Sequence, residues 1–319
     1  MEKLYIPEEF YKEEVLCGYT VSEHMKKVWA VELDLLYQLQ QVCSKFGIRY
    51  FASGGTILGA VRHKGFIPWD DDIDLMMLRE DYDRLLAHAD AFEAPYLLQS
   101  LETEEGYLRG HAQLRNTRTT CIVRSELALK LPYNQGIFID IFPLDAAAPN
   151  EKLLKKQKKR LDLLMTQAWD SYFSGPGYHE DTAWKKNRLL HPIMPVLGKV
   201  WDYKKIMRAY FREAQRFNSL NTKYVAKVAY ACGDRRMYDL REGFEAFTMA
   251  PFEMLEVPLY GDYVHHLKRQ YGDYMKFVIG TADHGGLIFD PDMPADEWLR
   301  THQDEVKKAV DQLHGRAEK

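Results

Sequence analysis

Residues 69–76 read WDDDIDLM, with four carboxylates and one isoleucine among them, running straight into an apolar stretch. Like charges so spaced repel, and burying them is costly unless a cation is present. The apolar continuation through Met77 argues against a solvated acidic loop. Read as a strand over 72–77, side chains at i and i+2 share a face. Asp72 and Asp74 then point one way, and Ile73 and Leu75 point the other way into a core. Pro68 and Trp69 leave Asp70 in the preceding loop as a supporting group, and Asp71 falls on the wrong phase. Two neighbouring carboxylates form a clamp for a hard divalent cation, Mg²⁺ or Mn²⁺ rather than zinc. A calcium loop is rejected because its sixth position should be glycine and is Leu75, and its twelfth should be Glu and is Asp81. A helix N-cap needs one Asp, not four.

Working outward, IFIDIFPLD (137–145) carries a second carboxylate of the same character. Asp140 sits between Ile139 and Ile141, with Phe138 and Phe142 on its own face, so it needs a partner. If this strand lies beside 72–77, Asp140 becomes a third carboxylate facing the metal. The competing reading is a buried ion pair with an arginine such as Arg115. Asp145 reads as a turn or cap residue. Upstream, SGGT (53–56) is a glycine turn before a short helix, 56–62. Consecutive glycines allow close backbone approach, and the helix start offers unpaired N–H groups to an anion. On its own a plain strand-to-helix turn is the simpler reading, and only its position just before the acidic strand gives the anion site weight. Arg62, His63 and Lys64 add positive charge nearby.

The remaining pattern is α+β. Apolar positions from Met25 to Phe46 have helical spacing, and Gly47 supplies the stop. Strands are expected at 48–52, 96–100, 110–115, 119–125 and 136–142, with a helix over 79–92. From 150 to about 218 the texture is helical. Residues 250–260 look extended, 261–277 mostly helical, and 295–315 like one amphipathic helix. The expected division is an N-terminal arm (1–22), a mixed-sheet core flanked by helices (23–149), and a mainly helical region (150–319). The 250–290 segment of that region would return to complete the active site.

Composition sets limits. The 319 residues are 46% hydrophobic and 28% charged with net charge −4, so the global field gives no support for a nucleic-acid partner. The acidic N-terminus lacks the apolar segment of a signal peptide, and no run of about 18 apolar residues suggests a membrane span. Four scattered cysteines without CxxC spacing suit reduced thiols in a cytoplasmic protein. His265 and His266 diverge on a helix, and His179 and His191 lack ligand spacing.

The stretch SGGTILGAVRHKGFIPWDDDIDLMMLREDYDRL (53–85) resembles the LicD family of bacterial phosphocholine transferases, related to fukutin-type transferases. The order of glycine turn, short helix and acidic strand is similar to the wider nucleotidyltransferase superfamily. IDIFPLD (139–145) and FEMLEVPLYGDYVHHLKRQYGDYM (252–275) resemble later blocks of the family. The resemblance implies a nucleotidyltransferase-like fold and transfer of a phospho-alcohol, typically phosphocholine, from a CDP-linked donor such as CDP-choline. The acceptor would be a hydroxyl on a cell-surface glycan or its lipid-linked precursor, with CMP leaving. It implies that Gly54, Gly55 and Thr56 hold the donor phosphates, that Asp72 and Asp74 bind the metal, and that Asp140 is the third carboxylate. Asp140 is then also a candidate general base, and the metals would be two, or one metal with a basic group. One departure is that the family's proline-rich basic stretch after YGDYM is replaced by KFVIGTADHGG, with His284 where a histidine is expected.

Choline needs an aromatic pocket, for which Tyr133, Trp169 and Tyr172 are candidates. Ribitol, glycerol or ethanolamine donors stay open. The basic run KLLKKQKKR (152–160) reads first as a solvated face; the alternative is contact with a phosphate-rich acceptor or an anionic membrane, where the apolar patch 193–197 beside Lys199 could help. The alternatives are a nucleotidyltransferase using an NTP, with pyrophosphate release, and a non-catalytic scaffold.

Overall fold

This computed structural model describes residues 1–129, 131–173, 202–220, 222–280 and 286–317. An N-terminal hairpin pairs β1 (Glu14–Leu16) with β2 (Tyr19–Val21). Helix α1 (Glu23–Phe46) starts where the Ser22 hydroxyl accepts from Met25 N and ends at Gly47 in the left-handed region, as its spacing predicts. Its buried stripe, including Trp29, Leu33, Leu36 and Leu39, packs into the main core against the sheet. The N-terminal arm docks on α1: Leu4 N donates to Asp34 (2.8 Å), and Gln38 donates to the Glu2 carbonyl (2.8 Å).

Next come β3 (Phe51–Ala52), α2 (Gly54–Arg62), β4 (Asp74–Leu78), α3 (Arg79–Ala87), β5 (Tyr96–Gln99), β6 (Ala112–Asn116), β7 (Thr120–Val123) and β8 (Phe138–Ala146). After α4 (Glu151–Phe173) and the helix Tyr203–Ala214 come β9 (Tyr224–Ala226), the short helix Val228–Ala231 and β10 (Tyr238–Leu240). The hairpin of β11 (Phe247–Phe252) and β12 (Leu255–Tyr260), the helix Tyr263–Tyr271, β13 (Leu287–Asp290), and the helices Ala295–Thr301 and Gln303–Ala317 complete the described chain.

A seven-stranded mixed sheet runs β10-β9-β8-β4-β3, and β6 also pairs with β8 and carries β5. One edge of β8 meets β4 in parallel register, and the other meets β6 and then β9, both antiparallel. The class is therefore α+β, as expected. Because β9 and β10 extend the sheet, residue 149 divides the texture of the sequence and not the sheet. The second half also carries β11, β12 and β13 among its helices. No helix among the described residues is long and apolar enough to cross a membrane.

Several expectations shift. The expected turn glycines 54–55 are the first residues of α2, with Ser53 at the cap position. The acidic strand begins at Asp74, so Asp72 precedes the ladder and alternation does not govern it. The 295–315 helix is two helices meeting at His302, whose N–H bonds the Trp298 carbonyl to close the first. Asp145 is no turn residue. It lies inside β8, 1% exposed, and takes a two-pronged contact from Arg79 at 2.8 and 2.7 Å plus a hydrogen bond from Asn218 at 2.8 Å.

Candidate active site

The parallel pairing of β4 with β8 sets Asp74 directly opposite Asp140. The start of α2 is fastened to Asp74 twice: Asp74 N–H donates to the Thr56 hydroxyl (2.8 Å), and Ser53 N–H donates to the Asp74 carbonyl (3.0 Å). Two aspartate side chains crowd Gly54 and Gly55. A Cβ on Gly54 would fall 2.6 Å from Asp74 Oδ2, and one on Gly55 would collide with Asp70 Oδ2. Gly54 also has φ +53°, which disfavours a side chain. Two carboxylates thus rest on the first turn of a helix, whose partial positive charge favours anions.

Asp70, Asp71 and Asp72 each present an oxygen within 4.8 Å of the others. Asp71, which strand phase would turn away, is part of this cluster because 70–73 is irregular. The all-oxygen donor set suits a hard divalent cation, so the residues present fit Mg²⁺ or Mn²⁺.

Asp140 accepts from Gln113 Nε2 (2.7 Å) and lies 3.1 Å from His111 Nε2. Burial works to raise its pKa, but His111, Gln113 and then Arg109 outweigh burial and hold it below the usual carboxylate range. Arg115 is not its ion-pair partner. Arg115 bonds Gln99 Oε1 and Gln113 Oε1 (both 2.6 Å), and so orients the glutamine that donates to Asp140.

Residues 47–193 match the family described as LicD/FKTN/FKRP, nucleotidyltransferase domain. That stretch is similar to the LicD family domain. The match spans α2, the acidic cluster, β4 and β8. The chain is 28% identical to the lipopolysaccharide cholinephosphotransferase LicD of Haemophilus influenzae over 250 residues, covering 76% of this chain and 88% of that protein. A shorter match, 54% over 35 residues, relates it to the human ribitol 5-phosphate transferase FKRP, covering 11% of this chain and 7% of that protein.

Of the three basic candidates, Arg62 and His63 are engaged with each other and with other groups, and Lys64 is exposed. Arg62 donates to the carbonyls of Tyr274 (2.9 Å) and Lys276 (3.2 Å) and to His63 (2.8 Å), so it fastens the segment after the helix Tyr263–Tyr271. Burial, then Arg62, lowers His63 to about 4, leaving it neutral at pH 7. Lys64 is exposed in the left-handed region, and its carbonyl accepts from Glu253 N (2.8 Å). The aromatic candidates do not form a cage at the carboxylates. Tyr133 is buried edge-on to Tyr107, and Tyr172 packs on Tyr203 with Trp169 in the α4 cluster. His265 and His266 diverge as expected, toward Asp262 and Asp239. His179, His191, the 193–197 patch, Lys199 and His284 lie outside the described residues.

Sequence reasoning missed Glu32 and Lys227. Glu32, 1% exposed, lies on the buried face of α1 four residues before Leu36, a position its helical spacing could have flagged. Burial first, then repulsion from Asp72, Asp71, Asp70 and Asp140, pushes its pKa well up. Its Oε2 has no hydrogen-bond partner among the described residues. Folded Glu32 therefore keeps a proton that the unfolded chain releases, so stability declines as pH rises above the usual glutamate range. Glu32→Gln removes that dependence. In metal-free buffer the variant is expected to match wild type near pH 4 and to melt higher at pH 8. Parallel melting curves for the two proteins across this range would refute it.

Lys227 is signalled only as a lone cation in the apolar run VAKVAY (225–230). It is 5% exposed, with Nζ 4.0 Å from Asp74 Oδ2 and 3.7 Å from the Phe142 ring centroid.

Proposed function

We propose that this protein transfers a phospho-alcohol, phosphocholine before others, from a CDP-linked donor to a hydroxyl of a cell-surface glycan or its lipid-linked precursor, releasing CMP. The observation that carries the reading is the Asp74–Asp140 register beside a helix start already occupied by Asp70 and Asp74. The likeness to a lipopolysaccharide cholinephosphotransferase over most of both chains supports the reaction class.

A divalent cation held by Asp72, Asp74 and Asp140, with Asp70 and Asp71 beside them, would offset the pyrophosphate charge. The chain's own contributions follow from the geometry. Thr56 and Ser53 fix Asp74. His111 and Gln113 orient Asp140 and keep it ionised. A carboxylate held below its usual range is a weak base, so Asp140 suits coordination better than proton removal. In the reaction an acceptor oxygen forms a bond to the outer phosphorus, and the bond from that phosphorus to the bridging oxygen breaks. The electron pair leaves with CMP, and the acceptor proton passes to base or solvent.

Because the matched family domain is named a nucleotidyltransferase, attack on the nucleoside-bearing phosphorus of an NTP is the second reading. A screen of CDP-choline, CDP-ethanolamine, CDP-glycerol and CDP-ribitol for CMP release, beside CTP and ATP for pyrophosphate release, separates them. CMP from a CDP-alcohol is expected; pyrophosphate alone would overturn the proposal. The exposed basic face of α4, with Lys152, Lys155, Lys156 and Lys159, suits peripheral contact with an anionic surface at the inner face of the membrane. Flotation with anionic but not neutral vesicles is the expected result, and equal flotation with neither would reject it.

A further inference from the structure

Lys227 comes from the half of the chain outside the matched domain, yet its ammonium lies among the site's charges. It follows β9, which pairs with β8 at Asp145–Ala146 and with β10 on its other edge. Its carbonyl accepts from Tyr230 N (3.0 Å) and Ala231 N (2.8 Å), so its backbone is fixed on both sides. The Nζ rests on the face of Phe142, which neighbours Asp140 on the same side of β8, with the Tyr230 ring centroid 6.0 Å away.

At 4.0 Å the approach to Asp74 is an ion-pair distance and not a hydrogen bond. An ammonium carries three donors, and a buried one needs oxygen acceptors. Among the described residues it has a carboxylate just out of hydrogen-bond reach and two aromatic faces. Simple charge neutralisation of Asp74 would be served better by direct contact. An oxygen-rich anion drawn to the carboxylate-bound cation would bring acceptors to this lysine. Arg62 and His63 are bonded to one another, Lys64 is exposed and Arg109 is paired with Glu126, whereas Lys227 is a buried cation beside Asp74.

We propose that Lys227 is a phosphate-binding residue of this site, donating from Nζ to an oxygen of the donor's pyrophosphate. The inference rests on the phosphoryl-transfer reading but not on the identity of the head group. Lys227 gives up no proton; it supplies hydrogen bonds to charge that grows on the leaving phosphate oxygens. Behind it, Asp239 accepts from Tyr260 (2.7 Å) and Arg269 (2.7 Å) and lies 2.8 Å from His266 Nδ1. That network ties β10 to β12 and to the helix Tyr263–Tyr271.

The test uses the full chain and two probes, Mg²⁺ alone and inorganic pyrophosphate at saturating Mg²⁺, titrated by calorimetry. In Lys227→Met, Mg²⁺ affinity should be unchanged or tighter, because a competing cation has gone. Pyrophosphate affinity should fall about 10- to 100-fold, the weight of one charge-assisted hydrogen bond. Lys227→Gln, which keeps a donor without charge, should recover part of the loss. Equal pyrophosphate affinity in wild type and Lys227→Met overturns the proposal, as does no pyrophosphate binding by wild type. Joint loss of Mg²⁺ and pyrophosphate binding with a lower melting temperature would make Lys227 structural and also overturn it. Lys227-dependent pyrophosphate binding without CMP release from any CDP-alcohol would sustain Lys227 and reject the transferase reading.

Discussion

Asp74→Asn is expected to lower transfer by about 10²–10³-fold or more while leaving the fold intact. Asp74 has the most connections in the site: it faces Asp140 across the sheet, touches the first turn of α2, and stands 4.0 Å from Lys227. The Asn amide keeps the shape and the backbone bonds to Thr56 and Ser53, but removes a charge from a group of repelling carboxylates. In metal-free buffer that relief opposes the loss of charge beside Lys227, so the variant should melt close to wild type. Saturating Mg²⁺ should raise the wild-type melting temperature, because ligand that binds only the folded state stabilises it. The same addition should do little for Asp74→Asn. Wild-type turnover in the variant, or an equal Mg²⁺-induced rise in both proteins, would refute the metal clamp.

Asp145→Ala is expected to cost about 3–5 kcal/mol of stability, the usual consequence of removing one partner from a buried ion pair. The carboxylate is 1% exposed and satisfies both Arg79 and Asn218, which would be left facing a cavity. Urea unfolding followed by circular dichroism measures the loss. The double variant Arg79→Leu/Asp145→Leu should recover much of it, since apolar replacement of both partners removes the unpaired charge. A single variant as stable as wild type would mean that the pair contributes nothing.

The contrast between these two aspartates marks what was legible in the sequence. Asp74 and Asp140 were legible because each interrupts an apolar run at strand spacing, where a carboxylate must have a partner. Asp145 lies in the same run, but Pro143 and Leu144 before it read as the end of a strand. Only the Arg79 side chain, 66 positions upstream, explains how β8 continues through it. The glycines at 54–55 were legible as a close approach, yet not what approaches: Asp70 and Asp74 themselves occupy that space. Alternation misplaced Asp71 because the ladder begins at Asp74, and an irregular segment obeys no two-residue period. Glu32 was legible only as a buried carboxylate by helical spacing and Lys227 only as a lone cation in an apolar run, since a tertiary contact, not a motif, brings each to the site. β9 and β10 were missed for the same reason: three-residue strands carry too little pattern, and pairing with β8 and each other defines them.

The central claim is metal-dependent transfer of a phospho-alcohol with CMP as the leaving group. Its most direct test incubates the purified chain with Mg²⁺, CDP-choline labelled in the choline, and a lipopolysaccharide or glycan acceptor, and follows label and nucleotide together. Label on the acceptor and CMP in equal amounts, both abolished by EDTA, is the expected result. Pyrophosphate release from CTP or ATP, with no CMP from CDP-choline or any other CDP-alcohol, would contradict it.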